Sequence, residues 1–346
     1  MQPDSLCVKC IPPRPPRETS SSGTVISIFC LYSFEATIDA MNQPSIIVIG
    51  SSNTDMVIKS PHLPVPGETI LGGVFFMNAG GKGANQAVAA ARLGGNVGFI
   101  AKVGKDIFGK QAVQLFRNEG IDVSSILKDR DLPSGIALIT VDNKAENCIV
   151  VASGANAALT AKNIKKFKEK IEAASIVLMQ LETPVDTIAC AAGIAAASKK
   201  IVVLNPAPAC ALPDSLLRQV SVITPNETEA ELLTGIPVTD LSSAEQAARQ
   251  LHQKGVNTVI ITLGAKGALL LENDLVSIID APRVTAIDTT AAGDVFNGAL
   301  VVAMAEGKSM TDAIKFACRA AAISVTRLGA QASAPYKNEI ENGEPA

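Results

Sequence analysis

Ile46-Ile-Val-Ile-Gly50 is a run of branched apolar residues stopped by a glycine, and the reading of the fold starts from it. No polar residue alternates with the apolar ones, so the run fits a strand buried on both faces. Similar runs return at 97–103, 176–181, 201–204, 221–224, 258–263 and 268–271. Helix-length stretches lie between them at 83–93, 108–119, 161–173, 186–198, 227–234 and 243–254. Two Ala-rich helices at 292–305 and 310–326 close the series. Strands separated by helix-length segments join through right-handed crossovers, which predicts an α/β fold: a mostly parallel sheet covered by helices on both faces. Three strand-like runs interrupt this rhythm: Glu68 to Met77, Ile136 to Val141 and Asn147 to Ala152. They predict a small β-strand lid, within about 55–78 and 134–153, over the strand ends where open α/β sheets hold their ligands.

The composition excludes several classes of function. Of 346 residues, 30 are basic and 33 acidic, which rules out a nucleic-acid binder held by a basic field. With 3% aromatic residues and no Trp, a base-stacking platform is excluded as well. No run of about 18 apolar residues occurs, so no membrane span is expected. Seven cysteines, an odd count in a long chain, suggest no disulfide framework. Cys7-x-x-Cys10 is half a zinc knuckle without a second pair. Residues 1–43 include the Pro- and Ser-rich stretch 11–23 and a short apolar run, Thr24 to Tyr32, faintly like a signal-peptide core. They read as an extension or a mis-assigned start, with Met41 as the functional start, 44–340 as one domain and 341–346 as a short tail. The expected location is the cytoplasm.

Two stretches carry chemistry. Asp288-Thr-Thr-Ala-Ala-Gly-Asp294 is a small-residue turn running into a helix, with a carboxylate in the helix's first turn. The backbone N–H groups of Ala292, Gly293 and Asp294, with the helix dipole, would favour an anion there. Asp294 could then accept a proton from a substrate hydroxyl. Asn78-Ala-Gly-Gly-Lys-Gly-Ala-Asn-Gln86 is a glycine turn opening a helix. It is not a P-loop, because Gly83 follows Lys82 where Ser or Thr is needed, and no dinucleotide fingerprint occurs here or after Gly50. Lys82 and Asn85 remain able to reach a polyhydroxylated ligand.

Gly80-Gly-Lys-Gly-Ala-Asn85 and Asp288-Thr-Thr-Ala-Ala-Gly-Asp294 resemble the two signatures of the ribokinase/phosphofructokinase-B family of sugar kinases. Further matches follow in order: Gly50-Ser-Ser-Asn-Thr-Asp55, Met179-Gln-Leu-Glu182, Asn205-Pro-Ala-Pro208, Thr224-Pro-Asn-Glu-Thr-Glu-Ala-Glu231, Thr262-Leu-Gly-Ala-Lys-Gly267 and Thr326-Arg-Leu-Gly-Ala-Gln-Ala-Ser333. The resemblance runs from about 45 to 340 and implies a three-layer α/β fold with a β lid. It also implies ATP-dependent phosphorylation of D-ribose at O5, with Asp294 as base and the 291–294 turn, through Ala292 and Gly293, as anion hole.

It further implies sugar contacts from Asn53, Thr54, Asp55, Gly81, Lys82, Gly83, Ala84, Asn85, Glu182 and Asp294. ATP contacts would come from Asn226, Thr262, Leu263, Gly264, Ala265, Lys266, Gly267, Gly293, Asp294 and Cys318. Glu229 would organise Mg²⁺ through water, and Asp288, Thr290, Ser324, Arg327, Gly329 and Ser333 would hold an activating K⁺. Asn205-Pro-Ala-Pro208 reads as a rigid loop shaping the cleft. Ala291 and Cys318 depart from the family pattern, where glycine, and His or Asn, often stand. Another sugar or a nucleoside as acceptor is the alternative within the family. A noncatalytic sugar-binding or regulatory protein is the alternative outside it, opposed by the intact Asp294, Gly293 and Asn226-x-x-Glu229 set. Open edges of two lids could pair to make a homodimer.

Overall fold

The computed structural model describes residues 45–342 except Ala145. The expected extension, the start at Met41 and residues 343–346 of the expected tail lie outside the described residues. Strands are β1 (Ile46–Ile49), β2 (Asn53–Lys59), β3 (Val74–Gly80), β4 (Val97–Gly104), β5 (Ile126–Asp129), β6 (Gly135–Val141) and β7 (Asn147–Ala152). They continue as β8 (Ile176–Met179), β9 (Ile201–Leu204), β10 (Val222–Ile223), β11 (Thr258–Thr262), β12 (Ala268–Glu272) and β13 (Leu275–Ile279). The helices of eight residues or more are α1 (Lys82–Arg92), α2 (Ile107–Asn118), α3 (Val185–Ala197), α4 (Glu227–Thr234), α5 (Leu241–Gln253), α6 (Ala292–Ala305) and α7 (Met310–Ser324).

The main sheet has nine strands in the order β13-β12-β11-β10-β9-β8-β1-β4-β5. It is parallel from β5 to β11; β12 then pairs antiparallel with β11 and β13 antiparallel with β12, so β12 alone runs against the others. Alternation along the strands divides the core in two. Ile46, Val48, Leu178, Val203 and Ile260 pack with α1, α6 and α7 on one face. Ile47, Ile49, Val177, Val202 and Ile261 pack with α3 and α5 on the other. All four residues of β1 are buried, as an unbroken Ile/Val run between two helical layers requires. The predicted three-layer arrangement is therefore the observed one.

The second sheet is small, with order β3-β2-β6-β7. β2 pairs parallel with β6 and antiparallel with β3, and β6 pairs antiparallel with β7. Three expectations need correction. Only 74–80 of the apolar run beginning at Glu68 is strand. The stretch before it has Gly67 and Gly72 at φ 87° and 89° and Leu71 87% exposed, so it has neither the backbone nor the burial of a strand. Asn53–Lys59, which is not among the strand-like runs named above, is a strand: its polar start faces the cleft and its backbone is paired on both sides. The single helix expected at 161–173 is three short pieces, Ala161–Ile164, Lys165–Phe167 and Lys168–Ala173. Only Ile164 and Ile171 are fully buried there and Phe167 partly, so the Lys-rich middle has little apolar surface to hold a continuous helix. β5 and β13 also form without having been expected. Among the described residues, no helix is long and apolar enough to cross a membrane.

Candidate active site

The motif residues converge on the carboxyl ends of β1, β8, β9, β10 and β11, beneath the small sheet. Asp294 stands in the first turn of α6 and is 5% exposed. Its two carboxylate oxygens are held separately: Asn85 Nδ2 donates to Oδ2 at 2.9 Å, and Gln86 Nε2 donates to Oδ1 at 2.9 Å. Both amides come from the first turns of α1, which reaches this point because Gly81 turns the chain at φ 89°. A Cβ on Gly81 would stand 2.7 Å from the Asn53 nitrogen, so the approach needs glycine in shape as well as in conformation. At the start of α6, a Cβ on Gly293 would meet no atom within 4 Å, so the helix terminus opens onto free space. Ala291 caps that helix at φ 59°, in the left-handed region where glycine is at ease, which accounts for the family's glycine at this place.

Around Asp294 lie three further carboxylates and one ammonium. Burial pushes the Asp294 carboxyl up from the usual carboxylate range, against the pull of Lys82, Asn85 and Gln86, and Glu182 adds to the rise. Asp55 is pushed up to about 6, first by burial and then by Glu182 and Asp294. Burial alone would lower Lys82, but Asp294, Glu182 and Glu229 outweigh it and hold the ammonium above its ordinary value. Lys82 is thus the cation on which the carboxylates converge.

Glu182 Oε2 accepts the Lys82 backbone N–H at 2.9 Å and the Ser51 hydroxyl. Asn53 Oδ1 accepts from Asn156 Nδ2 at 2.8 Å, and Asn156 Oδ1 accepts the Ser52 N–H at 3.0 Å. Ser51 and Asn156 were not anticipated from the sequence: Ser51 stands in a quoted motif but was given no role, and Asn156 comes from a segment that carries no motif. Thr54 pairs with Ala79 and lines a cavity of about 220 Å³ with Asn53 and Asn78. The N–H groups of Gly83 and Ala84 go to the Ser51 hydroxyl at 3.3 Å and the Ser51 carbonyl at 2.9 Å. These two backbone groups hold Ser51 in place.

On the other flank, Asn226 caps α4. Its Oδ1 accepts the Glu229 N–H at 2.8 Å, while Glu229 Oε2 accepts the Asn226 N–H at 2.9 Å. The Asn-x-x-Glu spacing is thus a reciprocal helix cap, and it leaves Asn226 Nδ2 and Glu229 Oε1 for other partners. Burial raises the Glu229 carboxyl against the Asn226 hydrogen bond and Lys82. Thr262 is paired with Asn226 by a parallel bridge, which sets the turn at Gly264–Lys266 beside the cap. Leu263 N–H closes this turn onto the Gly267 carbonyl at 2.8 Å. Cys318 is buried in the apolar core on α7, and burial pushes its thiol up to about 11, which disfavours the reactive thiolate.

Asp288 binds the Thr290 N–H at 2.9 Å through Oδ1 and the Gly329 N–H at 2.8 Å through Oδ2. Burial would raise this carboxyl, but those bonds hold it below the usual range. Ser324 and Ser333 donate their hydroxyls to the Ala321 and Ala330 carbonyls, both at 2.8 Å. The Arg327 guanidinium is paired with Glu339. The donors gathered here are oxygens around one carboxylate, which suits a hard monovalent cation. Among the described residues, no three His, Cys, Asp or Glu side chains form a metal cluster.

The family model for pfkB family carbohydrate kinases matches residues 43–337. The chain belongs to the pfkB family of carbohydrate kinases. A ribokinase of Haemophilus influenzae is 49% identical over 85% of this chain and 96% of its own. A deoxyribokinase of Salmonella typhi is 38% identical over 84% and 95%. The structure of Arabidopsis thaliana ribokinase complexed with ribose and ATP superimposes with a TM-score of 0.83 at 32% identity, covering 87% of this chain and 98% of that one. As a pfkB-family kinase, this chain keeps its acidic cluster at a cost in stability. Asp55 is protonated more readily when folded than when unfolded, so the stability this proton brings is present at pH 4 and lost as pH rises through about 6. Asp55→Asn should therefore raise the melting midpoint of the ligand-free protein at neutral pH, by about 1–3 kcal/mol in stability, with the gain vanishing near pH 4. Thermal denaturation across pH checks it.

Proposed function

We propose that this chain transfers the γ-phosphoryl group of ATP to the 5-hydroxyl of D-ribose, giving D-ribose 5-phosphate and ADP. The observation that carries the reading is the juxtaposition of Asp294, held by two amides, with the open N-terminus of α6 at Gly293. Asp294 takes the proton from O5 as the bond to phosphorus forms. The Ala292 and Gly293 N–H groups offset charge on the transferring group, and little else is needed, since phosphoryl transfer is mainly alignment and charge compensation. Asn53, Asp55, Glu182 and Asn85 orient the sugar hydroxyls, with the turn at Gly81 shaping the floor. Lys82 neutralises the gathered carboxylates and the incoming phosphate.

Asn226, the 262–267 loop and Gly293 form the nucleotide side. Mg²⁺ bound with ATP supplies charge neutralisation between phosphates, and the free Glu229 Oε1 would hold it through water. K⁺ would sit among Asp288, Ser324, Ser333 and the carbonyls of Thr290, Arg327 and Gly329, fixing the turn that leads into α6. A cytoplasmic location, where ATP is supplied, follows from the reading.

A coupled ADP-release assay tests the reaction. Ribose should raise ADP release well above the sugar-free rate and above 2-deoxyribose and fructose, and Asp294→Asn should lose about 10²–10⁴ in kcat. Ribose at the blank rate would remove the sugar assignment, and near-full activity in Asp294→Asn would remove the base. Replacing K⁺ by tetramethylammonium should lower kcat at saturating ribose and ATP. An unchanged rate would refute the cation site.

The small sheet exposes Ile149, Val150 and Val151 on its edge strand β7, together with Leu138, Phe75 and Met77. Two such sheets in contact would cover these residues, and we read them as a homodimer interface. Light scattering at micromolar concentration should give twice the chain mass, and a monomeric mass would count against the pairing.

A further inference from the structure

Gln86 is fully buried and lies inside a sequence motif, and beyond its bond to Asp294 the reading above gives it no task. Its side chain joins three segments. Nε2 donates to Asp294 Oδ1 at 2.9 Å and to Asn205 Oδ1 at 3.0 Å, and Oε1 accepts from Gln180 Nε2. Asn205 Nδ2 in turn donates to the Thr224 carbonyl at 3.2 Å. Beyond it, Thr224 Oγ1 donates to Asn297 Oδ1 at 2.7 Å, and Asn297 Nδ2 returns to the Gly293 carbonyl at 2.8 Å. Gln180, Asn205 and Thr224 are the residues that follow β8, β9 and β10, so the chain of amides runs along three adjacent strand ends.

The direction of this chain is fixed from its far end. A carbonyl oxygen only accepts, so Asn205 must turn its NH₂ to Thr224 and its oxygen to Gln86. Gln86 must then turn its own NH₂ toward Asn205, and the second hydrogen of that group points at Asp294. An amide locked this way cannot rotate to accept a proton from a protonated Asp294. We propose that Gln86 is the positioning residue for Asp294: the strand-end amides lock it as a permanent donor, which holds the carboxylate in its ionised, proton-accepting form and fixes its orientation toward the acceptor hydroxyl. The inference rests on the role of Asp294 proposed above and extends it to the buried amides behind that carboxylate.

The lock works against the burial of Asp294 and the negative charges of Glu182, Asp55 and Glu229, which oppose ionisation, and alongside Lys82 and Asn85, which favour it. Removing one donor therefore shifts the balance toward the protonated base. Gln86→Met keeps the volume and removes the donor. Asn205→Ala leaves Gln86 in place and frees it to turn.

The test is kcat against pH from about 5 to 9, with melting midpoints for each variant, using whichever of ribose, 2-deoxyribose and fructose the wild type turns over fastest. Gln86→Met should move the acidic limb up by about one pH unit and cut kcat at pH 7 by about tenfold or more, with the sugar KM within about threefold. Asn205→Ala, which makes no hydrogen bond to Asp294, should shift the limb the same way by less. An acidic limb within about 0.3 unit of wild type in the variants that fold, whatever their melting midpoints, overturns the proposal. Should Gln86→Met fail to fold, Asn205→Ala decides alone. Failure of wild type to use ribose while using another sugar would sink the ribose reading and leave the limb positions to decide the role of Gln86.

Discussion

A carboxylate taken out of water keeps its charge only where other dipoles replace the hydration it has lost, and Asp294 is the place where this fold meets that condition. One oxygen is given to Asn85, the other to Gln86, and the ammonium of Lys82 stands nearby. Those three side chains come from the beginning of one helix, α1, and Asp294 from the beginning of another, α6. Small residues at Gly81, Gly83 and Ala84 bring the first helix against β1 and β2, and the all-apolar strands keep the layers in register. Much of the packing can be understood as the framework that brings two helix N-termini together on one face of a parallel sheet.

The sheet was legible because its strands are unbroken Ile/Val/Leu runs with helix-length spacers, a pattern that physics allows few ways to satisfy. Asp294, Asn85 and Glu182 were legible for a different reason, being embedded in segments that resemble a family's signatures. What escaped was set by long-range context. Asn53-Thr-Asp55 looks like a polar loop until β3 and β6 pair with it. The Lys-rich stretch after Ala161 has helical spacing but only Ile164 and Ile171 to bury fully. Gln86 and Gln180 stand in quoted motifs, yet they are partners across 94 residues, which no local pattern declares. Asn226 and Glu229 were read for the ligand they might serve, and the structure gives them a second duty as the cap of α4.

Between the two sheets the protein divides its labour. The large sheet is sealed on both faces and supplies fixed positions. The small one is wet on much of its surface, carries apolar side chains outward and supplies Asn53 and Asp55 from its central strand. On the function proposed above, sugar contacts would come from both sheets and nucleotide contacts from the large sheet and its helices, so movement of the small sheet would alter the sugar side first.

The bonds from Asn85 and Gln86 to Asp294 span 209 and 208 residues of sequence. During synthesis, α1 leaves the ribosome long before α6 exists, so its polar first turn has no carboxylate to meet and the strand-end amides have no common partner. The centre is therefore among the last parts of the molecule to close, since contacts of such separation are costly to form early. A partly made chain can bury much of its sheet and still lack the carboxylate on which those amides converge, so this centre is complete only when the chain is.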